Sequence, residues 1–206
     1  FLGGFYTGRH QGSSYNVVLG MDGQLRINPS SLFGYHLFLS QTKQDGQPQK
    51  ENGHALGLHY EYTTRDWMIM LGFQDIGQDF WTETGYLTRP GISRLRLGIL
   101  RMFYPQSKII RRIDPMIHSI QIRDKFADLY ETDNSFDLRF ILWRSSSFQF
   151  GYTYATEVFN YEKFNTSGPK LGASSQFTKQ FFLKITYQNR KKIRYVSDPY
   201  QGKGND

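Results

Sequence analysis

The chain has 206 residues, 38% hydrophobic and 17% aromatic, with 14 Tyr, 17 Phe, no Cys and a formal net charge of +7. Without cysteine there is no disulfide framework, thiolate nucleophile, zinc finger or iron–sulfur site, and no run of about 18 apolar residues exists to cross a membrane as a helix. The positive charge suits nucleic acid, anionic lipid or acidic glycan, and its placement along the chain has to decide among them.

The first clear element is "SYNVVLGMDGQLRIN", 14–28. Tyr15, Val17, Leu19, Met21, Leu25 and Ile27 share one parity, and Asn16, Asp22, Gln24, Arg26 and Asn28 the other. Alternation at a period of two predicts a strand whose faces meet different media. Its length is about twice the usual 5–6 residues of a soluble strand and matches the 9–11 or so that a tilted strand needs to cross a bilayer. Phe33, Tyr35, Leu37 and Leu39 alternate next, broken only by Phe38, before the polar loop "TKQDGQPQKENG". Leu56, Leu58, Tyr60 and Tyr62 lead through "TTRD" into Trp67, Ile69, Leu71 and Phe73, which predicts a hairpin. "QDIGQDFWTETGYLTRPG" is a long acidic and aromatic loop, followed by Leu95, Leu97 and Ile99 against Arg94 and Arg96.

Between 108 and 131 two strands are expected, with Pro115 at a bend or edge. Phe136 to Leu142 and Phe148 to Tyr154 alternate around "RSSS", and "NTSGPKLGASS" reads as a loop. Phe177, Phe181, Leu183, Ile185 and Tyr187 then form the apolar face of a final strand. Ten to twelve strands and no helix are expected. The polar faces are rich in Gly, Gln, Thr, Arg and Asp, and the apolar faces carry large residues. This pattern predicts an all-β, antiparallel transmembrane β-barrel, or a contiguous part of a larger one, with lipid outside and a polar lumen. Unpaired backbone is not tolerated in hydrocarbon, so the strands must close on each other or on strands outside the chain. No composition break divides residues 1–206, so a single domain is expected. With no initiator Met at Phe1, the numbering is expected to start inside a longer or processed chain.

"YNVVLGMDGQLRI", "DWMIMLGFQDIGQDFWTETGYLTRPGISRL" and "IRYVSDPYQG" together resemble a β-barrel domain of unknown function. In Bacteroidota outer-membrane proteins that domain follows a family-nine carbohydrate-binding-module-like domain. Asp75, Gly77, Asp79, Phe80, Gly85, Tyr86 and Arg89 fit the family's pattern in order, but "WTET" stands where the family usually has a Pro. The resemblance implies the outer membrane of a Gram-negative bacterium, further strands beyond Asp206, and an upstream periplasmic or surface module. It supplies no catalytic residues.

Candidate sites follow from parity. Arg94 and Arg96 turn to the polar face, where with Asp22, Asp137 and Arg139 they are candidates for binding anionic solutes or for ion pairing across the lumen. Arg101 has the apolar parity, so it is expected at an interface or past a bulge, since a midplane Arg costs roughly 2–4 kcal/mol. Asp75, Asp79 and Glu83 bring three carboxylates to one loop. They form a weak candidate for calcium that lacks EF-hand spacing, or an Arg-paired loop involving Arg89. His10, His36, His54, His59 and His118 show no metal-ligand spacing, and no cofactor is expected. His36 and Ser40 share a strand face, but at about 3.3 Å per residue they stand roughly 13 Å apart, too far for direct proton transfer. Aromatics lie on the face opposite the charges, unlike a nucleic-acid surface. The leading expectation is a non-enzymatic outer-membrane barrel that contacts lipid or lipopolysaccharide, anchors a module or a larger membrane complex, and admits or binds glycan-derived solutes. A barrel hydrolase acting on lipid or polysaccharide and a soluble β-sandwich binding module are the alternatives.

Overall fold

The computed structural model describes all residues except Tyr86, Thr88, 196–199 and Asp206, with residues 194 and 200–205 described as backbone only. The described residues form no helix. The strands are β1 (Leu2–Gln11), β2 (Ser14–Asn28), β3 (Ser31–Lys43), β4 (Glu51–Thr63), β5 (Trp67–Ile76), β6 (Ile92–Arg101), β7 (Ile110–Asp124), β8 (Leu129–Leu142), β9 (Ser147–Phe159), β10 (Glu162–Asn165), β11 (Gly168–Gln176), β12 (Phe182–Arg194) and β13 (Tyr200–Asn205). They make one sheet in the order β1-β2-β3-β4-β5-β6-β7-β8-β9-β11-β12-β13, an up-and-down meander, with β10 paired to β9. β1 to β4 pair antiparallel in sequence, as do β8 with β9, β9 with β10 and β11, β11 with β12 and β12 with β13.

Alternation in β2 has the consequence its sequence predicts, with the faces reversed from those of a water-soluble sheet. Leu19, Leu25 and Ile27 are 59%, 61% and 58% exposed, whereas Asn16 and Val18 on the other face are 0% and 4% exposed. Leu39, paired with Leu19, is bared on the same face, and Leu71, Phe73, Leu95, Phe148, Phe150, Tyr152 and Tyr154 are exposed on their own strands.

Three local expectations change. β7 is one strand through Pro115, not two. Proline is tolerated at strand edges, and the missing N–H falls near the end of β6, where pairing dwindles to an isolated Phe103–Ile113 bridge. "NTSGPKLGASS" is largely strand β11. Its small residues have little strand propensity of their own, but Leu171 and Ala173 pair with Phe150 and Phe148 on one side and with Tyr187 and Ile185 on the other, and tertiary pairing overrides propensity. Ser147 and Ser174 add a cross-strand hydroxyl bond of 2.8 Å. Phe177 and Phe181 belong to the turn before β12, closed by a Phe177 N–H bond to the Phe181 carbonyl at 3.0 Å. The turn between β9 and β10 places Asn160 and Tyr161 at φ 49° and 62°, the double left-handed geometry of a type I′ hairpin.

By internal contacts the chain forms two compact units. The first comprises Phe1–Tyr62, Met70–Arg96 and Ile122–Leu129. Its buried cluster is Val18, Ala55, Ile76, Phe80 and Ile92, with Phe38, Leu87 and Ile122 packed against it. The second comprises Thr63–Ile69, Leu97–Gln121 and Tyr130–Asp206, and in it Ala155, Ile193, Asp114 and Glu131 are buried.

Candidate functional site: a loop folded onto the polar face

The first unit buries its small apolar cluster on the polar face of the sheet, because the loop 77–91 between β5 and β6 lies there. Gly53 makes this possible: a Cβ at that position would overlap the backbone of Phe80. Phe80 itself is 5% exposed. Asn16, fully buried, fastens the loop at two points and is braced by β3 at a third. Its amide donates to Thr42 Oγ1 at 2.9 Å and to the Trp81 carbonyl at 3.1 Å, and its carbonyl accepts from the Glu83 N–H at 3.0 Å. The Trp81 N–H donates to Ser40 Oγ at 3.3 Å.

The loop base is held by backbone. Gly77 N–H donates to the His54 carbonyl at 2.8 Å, Gly91 N–H to the Gly77 carbonyl at 3.1 Å, and Lys125 N–H to the Gly91 carbonyl at 2.8 Å. Arg89 pairs with Asp124 at 2.5 Å. Tyr86 of the resemblance motif lies outside the described residues.

Beside this loop a cavity of about 280 Å³ opens on the polar face of β3 to β6, lined among others by His36, His59, Gln74, Arg94 and Arg96. Arg94 Nη1 donates to Gln74 Oε1 at 3.4 Å. Asp22 stands between Gly3 and His36 in the cross-strand register.

The remaining polar-face candidates lie in the second unit. Asp137 accepts from Gln149 Nε2 at 2.9 Å. Arg139 donates to Asp114 Oδ2 at 2.7 Å, and Arg112 pairs with the same carboxylate at 2.8 Å. Asp114 is 2% exposed, a buried charge compensated from both sides. Also in this unit, Tyr195, between β12 and β13, donates to Glu157 Oε1 at 2.8 Å, and that carboxylate pushes its phenol above the ordinary value.

On the apolar face the charged groups sit at strand ends. At the end of β5, Asp75 accepts from His54 at 2.9 Å, from Ser93 Oγ at 2.5 Å and from Lys125 Nζ at 3.0 Å. Lys125 also reaches the Ile76 carbonyl at 3.1 Å. In the second unit, Arg101, the last residue of β6, lies 4.6 Å from the Trp67 ring and 5.1 Å from that of Phe103. Arg65 lies over Tyr104 and Arg144 over Trp143.

The three loop carboxylates are employed separately. Asp75 is tied up as above, Asp79 is exposed, and Glu83 pairs with Arg9 at 3.5 Å. Among the described residues no group of three His, Asp or Glu gathers as a metal site. His36 stacks on Phe38 at 5.1 Å, while Ser40 serves Trp81. Ser93, Asp75 and His54 do meet, but the carboxylate stands between the hydroxyl and the imidazole and is shared with Lys125. A serine nucleophile needs the imidazole to accept its proton directly. Sequence reasoning missed Asn16, Thr42, Gly53, Ser93 and Lys125. A glycine in the middle of an otherwise alternating strand was the available signal for the loop, since such a glycine marks close backbone approach.

Comparison with protein-family models, curated proteins and solved structures finds no match to this chain.

Proposed function

We propose that this chain is a non-enzymatic, strand-spanning domain of a bacterial outer membrane. Its apolar face meets lipid, and its polar face lines a lumen that admits or binds glycan-derived solutes. In this reading the sheet closes into a barrel, on itself or with further strands, and anchors a module or a larger complex at the membrane.

The observation that carries the proposal is the bracketing of apolar positions along β5 and β6. On β5, Ile69, Leu71 and Phe73 lie between Trp67 and Asp75. On β6, Leu95, Leu97 and Ile99 lie between Ser93 and Arg101. Eight residues separate the bracketing groups in each case, about 27 Å along a strand. At a tilt of about 35–45° this spans roughly 19–22 Å, close to the ~25 Å apolar band of outer-membrane barrels. Arginines stacked on exposed aromatics suit the band's edge, where a ring faces hydrocarbon and a guanidinium faces phosphate. Exposed apolar patches of this kind mark protein or membrane interaction surfaces, and the bracketing favours the membrane.

The test is size exclusion and circular dichroism on the purified chain with and without detergent. A strand-rich species that is monodisperse only in detergent supports the proposal. A monodisperse, cooperatively folded species in plain buffer overturns it.

A further inference from the structure

We propose that the cavity lined by His36, His59, Arg94 and Arg96 is an oxyanion subsite, taking the carboxylate, sulfate or phosphate group of a solute. This deepens the lumen reading above and rests on it for its physiological setting, though not for its chemistry.

The cavity exists because of reciprocal pairing. In the β3–β4 register Gly34 faces His59 and His36 faces Gly57. A Cβ at Gly34 would overlap the His59 ring, and one at Gly57 the His36 ring. Each imidazole therefore lies down across the neighbouring strand instead of standing up into the space between β4 and β6. The floor that remains includes Gly57 and Gly72, and among the described residues no carboxylate lines the cavity.

Charge then enters from one strand. Arg94 and Arg96 are two residues apart on β6, so both side chains leave the same face with Cα atoms about 6.6–6.8 Å apart. Arg94 is steadied by Gln74. Arg96 is exposed and makes no hydrogen bond or ion pair among the described residues. Guanidinium forks bind planar or tetrahedral oxyanions through paired N–H donors, and the imidazole edges add two further polar groups. Asp22, beside His36, and Glu61, on the parity of His59, are the nearby acids by register. Asp75 belongs to the opposite face and is engaged by Lys125. The lining is therefore cationic, with its acids held outside it.

The experiment follows the histidine Cε1–H NMR signals of the full chain, in whichever medium keeps it monodisperse, during titration with sodium sulfate, sodium D-glucuronate or neutral D-glucose. The expected result is a saturable shift of the His36 and His59 signals with sulfate and glucuronate, none with glucose, and at least tenfold weaker binding in Arg96→Gln with partial rescue in Arg96→Lys. Arg96 makes no hydrogen bond or ion pair among the described residues, so its replacement is expected to preserve folding, and circular dichroism checks it. No saturable shift with either anion, an equal shift with glucose, or unchanged affinity in both Arg96→Gln and Arg94→Gln overturns the subsite. A chain that needs detergent but fails this titration loses only the subsite. A chain that is monodisperse in buffer loses the membrane reading while the titration is still read.

Discussion

The backbone of Phe80 rests directly on Gly53, with no room between them for a single methyl group. This approach seats the 77–91 loop on the polar face and lets Phe80 join Val18, Ala55, Ile76 and Ile92. A bulky residue at 53 has to push against backbone, which cannot rotate away as a side chain would. Gly53→Val is therefore expected to lift the loop, with a cost of about 1–3 kcal/mol from overpacking. Limited proteolysis reads this directly: cleavage within 77–91 should accelerate in the variant while the strands stay protected. A digestion pattern equal to that of the unaltered chain would mean that the loop is not held at this point.

Asn16 fastens the same loop by polar contacts, and its removal tests a different physical term. Asn16→Ala leaves the Trp81 carbonyl and the Glu83 N–H without their buried partner. A buried polar group left unsatisfied costs about 1–3 kcal/mol. Denaturant unfolding should show a midpoint lowered accordingly. Thr42→Val, which removes only one of the three partners, should cost less. Equal costs would place the stabilisation in the Thr42 bond and not in the grip on the loop.

The contrast between strand and loop explains what the sequence reveals. The bounds of β2 can be read off directly, because fifteen residues of alternation carry a local, repeated signal. The burial of the 77–91 loop has no such signal. Its fixing points, Asn16, Ser40, Thr42 and Gly53, lie on three other strands and look like any other polar or small residues on a polar face. Small residues mislead in the same way in β11, where Gly172, Ala173, Ser174 and Ser175 become strand only because β9 and β12 pair with them. The candidate arginines were legible as a face. Their partners were not: Arg139 meets Asp114, and Arg89 meets Asp124, at sequence separations that parity does not address.

Arg101 and Trp67 offer a third test. Arg101 sits over the indole ring and also approaches the Asp66 carboxylate at 3.8 Å. A partly exposed stack of this kind contributes about 0.5–1 kcal/mol, and the exposed ion pair adds little. Arg101→Ala should lower stability by about that amount and change the Trp67 emission, with Trp81 and Trp143 replaced by Phe so that one indole is observed. Unchanged emission would show that the guanidinium does not rest on the ring.

The most discriminating substitution places a charge on the apolar face. Leu71 lies near the middle of the bracketed stretch of β5 and is 46% exposed, while Ile27, near the end of β2, is 58% exposed. In water both changes to Arg would be nearly neutral, within about 0.5 kcal/mol, because surface substitutions away from packed features usually are. In a bilayer the two sites differ. An arginine at the midplane costs about 2–4 kcal/mol, falling to about 0–1 near the interface. Leu71→Arg should therefore lower the unfolding free energy in lipid vesicles by a few kcal/mol, and Ile27→Arg by little. The measurement is equilibrium unfolding in guanidinium followed by tryptophan fluorescence, with both variants in the same lipid. A depth-dependent difference follows from lipid on the apolar face, whereas two equally small effects would mean that Leu71 faces water or another protein surface.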